Sequence, residues 1–360
     1  MKKLIALLLA LVMVFALAAC GSSSTASTAS TSSAPAAETS SEAPAADEGK
    51  DYDTVNIIFT CNGTDVGNDT RTARLLAERL AERSGGKITM TINNNDALAS
   101  GAQTSAPELV INGTVQMDLR STTVLGAVAP KIKVSTLPFV FSNYAETIDY
   151  TWGKGGDFYA KTLDEVGLTY LGGMHNGLAA MTNNKHVIAM PEDVKGLKIR
   201  CVGDQLQDFW TTLGASAQGM NWAEVYTAMQ QGTIDGHNNS FSTIWSNNIQ
   251  EVQHYFSTLN LYYELFIFTA NSAWFNGLSA DTQELIRDTI KEVSLEMNEI
   301  LEAEEDEIMV KIQEEPYNCE VHVITDEERQ AWIDASAEFM ARWTEFYGEE
   351  ACAAFDIPMA

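Results

Sequence analysis

Arg200 ends the apolar alternation GLKIRC (residues 196–201) in a chain of 22 basic and 49 acidic residues, formal charge -27. A guanidinium is a planar fork of donors that fits a carboxylate with two charge-assisted hydrogen bonds. In so acidic a chain it offers an anionic ligand the local positive charge that the overall field denies. The plainer alternative is a surface ion pair with an acid such as Asp204. Spacings that support catalysis are absent. The histidines at 175, 186, 237, 254 and 322 form no HExxH pair, and no GxSxG nucleophile turn occurs. Asp235 and His237 in DGHNN read equally as an acid/base pair or as a turn opening the next element. In AERSGGKIT, Ala81 occupies the first glycine position of a phosphate loop.

No cofactor or metal is expected. Beyond Cys20, the cysteines are Cys61, Cys201, Cys319 and Cys352, without CxxC or Cys/His spacing for zinc. A Cys319–Cys352 disulfide and four free thiols both remain open. Nucleic acid is not an expected partner, because phosphate binding needs clustered Lys and Arg and the only basic tract is Lys2-Lys3.

The start, MKKLIALLLALVMVFALAAC, has the basic, apolar and small-residue regions of an export signal. LAAC also resembles a bacterial lipobox, which makes Cys20 the expected lipid attachment site, residues 1–20 a lipoprotein signal peptide, and the lipid bilayer a partner. Residues 21–53, rich in Ser, Thr and Ala, have little to bury and are expected to be a disordered tether.

Downstream, TVNIIFT, KITMTINNN, VQMDLR, LTYLGGM, HVIAM and GLKIRC read as strands. Helices are expected over about 70–84, 204–213, 221–231 and 240–252. Ser279 is a plausible N-cap for a long helix whose apolar positions Ile286, Ile290, Val293, Met297 and Ile300 continue to Ile308 and Ile312. Strand and helix alternate, so the fold class is α/β with sheets covered by helices, and the length asks for two domains.

Several segments together carry a resemblance from about residue 54 to 355: AERLAERSGGKI, INGTVQMD, LPFVFSNYAE, PEDVKGLKIRC, LGASAQGMNWAEVYTAMQQGTIDGHNN and LSADTQELI. In order and spacing they resemble the solute-binding proteins of tripartite ATP-independent periplasmic (TRAP) transporters, the DctP family. The resemblance implies a two-lobed, periplasmic-binding-protein-like fold (type II) with mixed sheets and a long helix spanning both lobes. Lobe I is expected from 54–176 plus about 265–304, and lobe II from 177–264 plus about 305–360. The implied function is an extracytoplasmic receptor, not an enzyme, that holds a small organic acid between the lobes and delivers it to TRAP permease membrane subunits. The binding lipoprotein of an ATP-driven (ABC) importer is the near alternative, and a secreted enzyme acting on a carboxylated substrate the remote one.

By the same resemblance Arg200 takes the ligand carboxylate, Asn239 hydrogen-bonds the ligand from the loop before a helix, and the loop with Cys61, Asn62 and Asp65 lies at the ligand. Many acid-binding relatives carry a second arginine shortly after the strand ending near His175; here Ala179 stands in that stretch. Arg120 is a possible compensating cation, with a strand-end salt bridge as the alternative. His175, Trp210 and Trp222 complete the candidate contacts, although core packing is the better reading of each tryptophan (with Trp245) taken singly. Loss of the second arginine and the tryptophan supply favour a hydroxylated sugar acid or an aromatic monocarboxylate over a small diacid.

Overall fold

The computed structural model describes residues 49–359; the signal peptide, most of the expected tether and Cys20 lie outside the described residues. Eleven strands form two sheets. They are β1 (Val55–Cys61), β2 (Ile88–Asn93), β3 (Met117–Ser121), β4 (Leu168–Leu178), β5 (Ala180–Asn183), β6 (Lys198–Cys201), β7 (Ser216–Gly219), β8 (Gly236–Asn239), β9 (Tyr255–Thr258), β10 (Tyr263–Asn271) and β11 (Glu320–Val323). The first sheet runs β2-β1-β3-β10-β4 and the second β11-β9-β5-β8-β6-β7. Both are mixed: β1 is parallel to β2 and β3, while β10 is antiparallel to β3 and β4. In the second sheet β5 is antiparallel to β8 and β9, and the remaining pairs are parallel. The chain thus crosses between sheets at β4–β5, where Ala179 alone separates the strands, and again at β9–β10.

The first sheet buries Ile57, Phe59, Met117, Leu119 and Phe268 against the helix Asn68–Arg83 and the long helix Ala280–Lys311. Ser279 caps that long helix, its Oγ accepting from Thr282 N at 3.3 Å. Ile286, Ile290, Val293, Met297 and Leu301 enter the first core, while Ile308 joins the core of Val225, Met229, Ile244 and Phe256 under the second sheet. At 1.5 Å per residue the 32-residue helix is about 48 Å long, enough to serve both halves.

A third core joins the halves through the C-terminal helix Ala337–Ala353. Phe339 meets Phe209 edge-on beside the second sheet, whereas Phe355 packs on Phe141 and Tyr159 beside the first. The C-terminal segment therefore packs on elements beside both sheets. HVIAM differs from the strand expected. It has no strand partner and runs as an irregular segment with Ile188 buried, its N–H donating to Ser257 Oγ at 3.3 Å. An apolar alternation fits a loop pinned to a core as well as it fits a strand. The stretch expected as one helix over 240–252 is a short helix, Phe241–Ser246, followed by a turn with Asn248 at φ 57° and a 3-10 segment. All four described cysteines are buried free thiols, so the Cys319–Cys352 bridge is not formed.

Candidate functional site

The C-terminal ends of β1, β6 and β8, with β10, open on one cavity of about 70 Å³ between the sheets. Its cation is Arg200, 6% exposed on β6. The Arg200 Nε donates to the Met220 carbonyl at 3.0 Å, and the guanidinium carbon lies 5.5 Å from the Trp222 ring centre. Among the described residues no carboxylate forms an ion pair with it, and its two Nη nitrogens have no hydrogen-bond partner. Burial pulls its pKa down to about 10, against the opposing pull of Glu264. It remains charged at neutral pH, a desolvated cation with its fork uncommitted.

Trp222 is fixed by its backbone N–H, which donates to Gln103 Oε1 at 3.3 Å across the cleft, and by a stacked contact with His237 at 5.7 Å. Asn239 ends β8 with its Oδ1 accepting from Ser240 N at 3.0 Å; Ser240 then caps the helix Phe241–Ser246. That helix brings Ser242 and Thr243 to the opposite wall. Asn68 Nδ2 donates to Ser242 Oγ at 2.9 Å and to Asn176 Oδ1 at 2.8 Å, and Asn176 Nδ2 donates to Thr243 Oγ1 at 3.2 Å. Amides from β4 and the helix Asn68–Arg83, and hydroxyls from the helix Phe241–Ser246, thus latch the two walls together.

Asn62 also lines the cavity, beside Gly63 and Asp69. Buried Asp69 accepts from Gly63 N at 2.7 Å and from Thr70 N at 2.8 Å, at the start of the helix Asn68–Arg83. A side chain at position 63 would run into Asp69 Oδ1, so the close approach requires glycine. Desolvation raises the Asp69 pKa, and the backbone bonds restrain that rise.

Arg200, Trp222, Asn239 and Asn62 therefore come together, and four expected contacts do not. Asp65 points outward and pairs with Arg74 at 2.9 Å. Arg120 is fully buried off the cavity. Its Nε donates to Asp118 at 2.8 Å, Nη1 to Asp96 at 2.5 Å and Nη2 to Thr60 at 3.4 Å, so the fork is spent within the first lobe and supplies no second cation. Its strand-end salt bridge is the arrangement found. His175 faces the long helix, its ring 4.4 Å from that of Tyr144; Nε2 lies 3.7 Å from Glu302, but burial lowers the ring's pKa to about 3, which leaves it neutral and the contact no ion pair. Trp210 is core, edge-on to Phe209 at 5.0 Å and Trp332 at 6.4 Å.

Sequence reasoning missed Glu264, Asn176, Asn68 and Asp69, which line the same cavity. Glu264 left a signal: it is the only charged residue from Tyr255 to Ala280, inside the apolar run LYYELFIF. A lone carboxylate in a buried strand has to face something polar. Its Oε2 accepts from Asn176 Nδ2 at 3.0 Å, and desolvation raises its pKa while Asn176, Arg200 and Ser121 hold it down. Among the described residues no group of three or more His, Cys, Asp or Glu is placed to hold a metal ion. The site is equipped for recognition of a small polar anion.

Known proteins are similar to this chain in sequence and in fold. The family model for bacterial extracellular solute-binding protein, family 7 (DctP), covers residues 66–346. The chain is 29% identical over 264 residues to the C4-dicarboxylate-binding periplasmic protein DctP of Vibrio cholerae, covering 73% of this chain and 78% of that one. It is 28% identical over 270 residues to the 2,3-diketo-L-gulonate-binding periplasmic protein YiaO of Escherichia coli, covering 73% and 79%. In fold it is similar to the sugar acid binding protein DctPAm of Advenella mimigardefordensis in complex with galactonate, with TM-score 0.79, 26% identity, and coverage of 85% of this chain and 98% of that one. With two helix-flanked mixed sheets meeting at the cavity of Arg200, and a family model matching most of its length, the chain belongs to the DctP family of TRAP transporter solute-binding proteins.

Proposed function

We propose that the protein captures a small organic acid by its carboxylate at Arg200, with Asn239, Asn62 and Trp222 around it, and hands it to TRAP-type permease subunits. One observation carries the reading: a desolvated guanidinium, without a carboxylate partner among the described residues, faces the interlobe cavity. A buried charge is costly unless paired, so an anion that brings two acceptor oxygens relieves the cost. Relatives named for C4-dicarboxylate, 2,3-diketo-L-gulonate and galactonate binding support the carboxylate class. Walls contributed by both sheets favour the closed state with solute bound, because only there does the solute touch both.

The receptor reading includes a lipid anchor at Cys20, the bilayer as partner, and no catalytic turnover. A thermal-shift screen of organic acids tests capture, since a ligand selective for the folded state raises its apparent stability by mass action. Acids that shift wild type and not Arg200→Ala support the role; equal shifts in both refute it. Metabolic labelling with a palmitate analogue, compared between wild type and Cys20→Ala, tests the anchor. Product analysis after prolonged incubation with the shifting acids tests the absence of turnover.

A further inference from the structure

Glu264 has no part in fixing a ligand carboxylate, yet it lines the same cavity as Arg200. It is held there as an acceptor. Asn176 Nδ2 reaches its Oε2 at 3.0 Å, and Ser121 lies beside it. Ser121 Oγ already accepts from Val124 N at 3.2 Å to cap the helix Thr122–Leu125, which leaves its hydroxyl hydrogen free for Glu264. Both neighbours are donors that reward the ionised carboxylate.

The charges of the lining share the bias. Asp69 adds a second carboxylate, and Arg200 is the only lysine or arginine in the lining. Asn68 Oδ1 is buried without a hydrogen-bond partner, although its Nδ2 is fully employed. Past the guanidinium, then, the cavity adds no second cation: Glu264 and Asn68 Oδ1 accept, beside neutral groups such as Thr123, Asn239 and Tyr262 that can also donate. Acceptors in a desolvated cavity need hydrogens to bond to, and a second anionic group supplies none.

Resting on the capture of a carboxylate at Arg200, we propose that Glu264 is a specificity-determining residue that accepts hydroxyl hydrogens from the solute and excludes a second carboxylate, so that the cargo is a hydroxylated monocarboxylate. A dicarboxylate long enough to reach from Arg200 toward Glu264 meets a like charge within the same low-dielectric space. A polyhydroxy acid gives Asn68 Oδ1 its missing partner and Glu264 further hydrogens to accept. The absent second arginine and the present glutamate act in the same direction.

The test is titration calorimetry of wild type, Glu264→Gln, Glu264→Ala and Arg200→Ala with galactonate, glucuronate and succinate at pH 7.5. Wild type is expected to bind at least one of the two hydroxylated acids tenfold or more tighter than succinate. Glu264→Gln keeps the shape and removes the charge, and should shrink that ratio at least tenfold, with succinate gaining affinity. Glu264→Ala should lose hydroxy-acid affinity and also gain succinate. Thermal unfolding of each variant without solute verifies that it is folded. Succinate binding as tightly as both hydroxylated acids in wild type, or a ratio unchanged in both folded variants, overturns the assignment of Glu264. If Arg200→Ala binds the acids as wild type does, carboxylate capture itself is wrong, a result distinct from a failure at Glu264.

Discussion

The guanidinium of Arg200 stands 5.5 Å from the ring centre of Trp222, while its Nε is held by the Met220 carbonyl. Ring and carbonyl fix the plane of the fork before any solute arrives, which lowers the entropy lost on binding.

Arg200→Ala is expected to weaken acid binding by about 3–5 kcal/mol, the scale for stripping one partner from a desolvated charge pair. Arg200→Lys should recover only part of this, because an ammonium is a point charge without the bidentate geometry. Trp222→Leu should cost about 1–2 kcal/mol through lost cation–π support and loosened orientation. Calorimetry with an acid that shifts wild type in the thermal screen measures all three.

Arg120 gives the opposite pattern. Removing a buried charge partner destabilises by about 3–5 kcal/mol, since Asp118 and Asp96 are left desolvated without their cation. Arg120→Met should therefore lower the urea midpoint strongly and leave acid affinity of the folded protein within about threefold. A large affinity loss in folded Arg120→Met would return this residue to the binding machinery.

His175 and His237 are both neutral in the fold, with burial lowering each pKa to about 3. A depressed histidine pKa means the unfolded chain binds the extra proton, so stability is present above pH 6.5 and is lost as pH falls below it. Each contributes about 1.4 kcal/mol per pH unit in that window. The His175 ring nitrogens have no hydrogen-bond partner, and Tyr144 packs on its face. His175→Phe should keep the packing and reduce the acid dependence by about one proton, read from urea midpoints between pH 5 and 6.5.

Glu305, 7% exposed in the long helix, is titrated in the opposite sense. Desolvation raises its pKa to about 7, although the hydrogen bond from Tyr144 opposes the shift. The folded state holds the proton more tightly than the unfolded chain, so this contribution is fully present below pH 4.5 and is lost as pH rises through 7. It amounts to a loss on the order of 3 kcal/mol. Glu305→Gln should flatten the stability profile between pH 4.5 and 7, and urea titrations across that range would show the change of slope.

The pieces read correctly from sequence are those governed by local periodicity. Ser279 followed by Ile286, Ile290 and Val293 defines a capped helix whatever surrounds it, and β1 and β6 are apolar runs bounded by polar turns. Arg200 was legible because a cation at a strand end in an acidic chain stands out. Asn68 and Asn176 were not, since nothing local marks them: they meet only when the helix after β1 is packed beside β4. Arg120 misled for a mixed reason. Asp118 lies two residues away on the same face of β3, a local signal, but Asp96 reaches the guanidinium only after the turn beyond β2 folds back, and that long-range contact completes the conversion of an apparent ligand cation into structure. HVIAM had strand composition but pairs with no strand among the described residues; Ile188 is pinned to the core instead.

The amide and hydroxyl bonds that join Asn68 to Ser242 and Asn176 to Thr243 have a consequence for timing. The walls part on that side only when those bonds break, so passage of a solute there waits for the latch. Observed association rates should then rise with solute concentration and level off at the opening rate of the latch, making the receptor's tempo a property of its own asparagines.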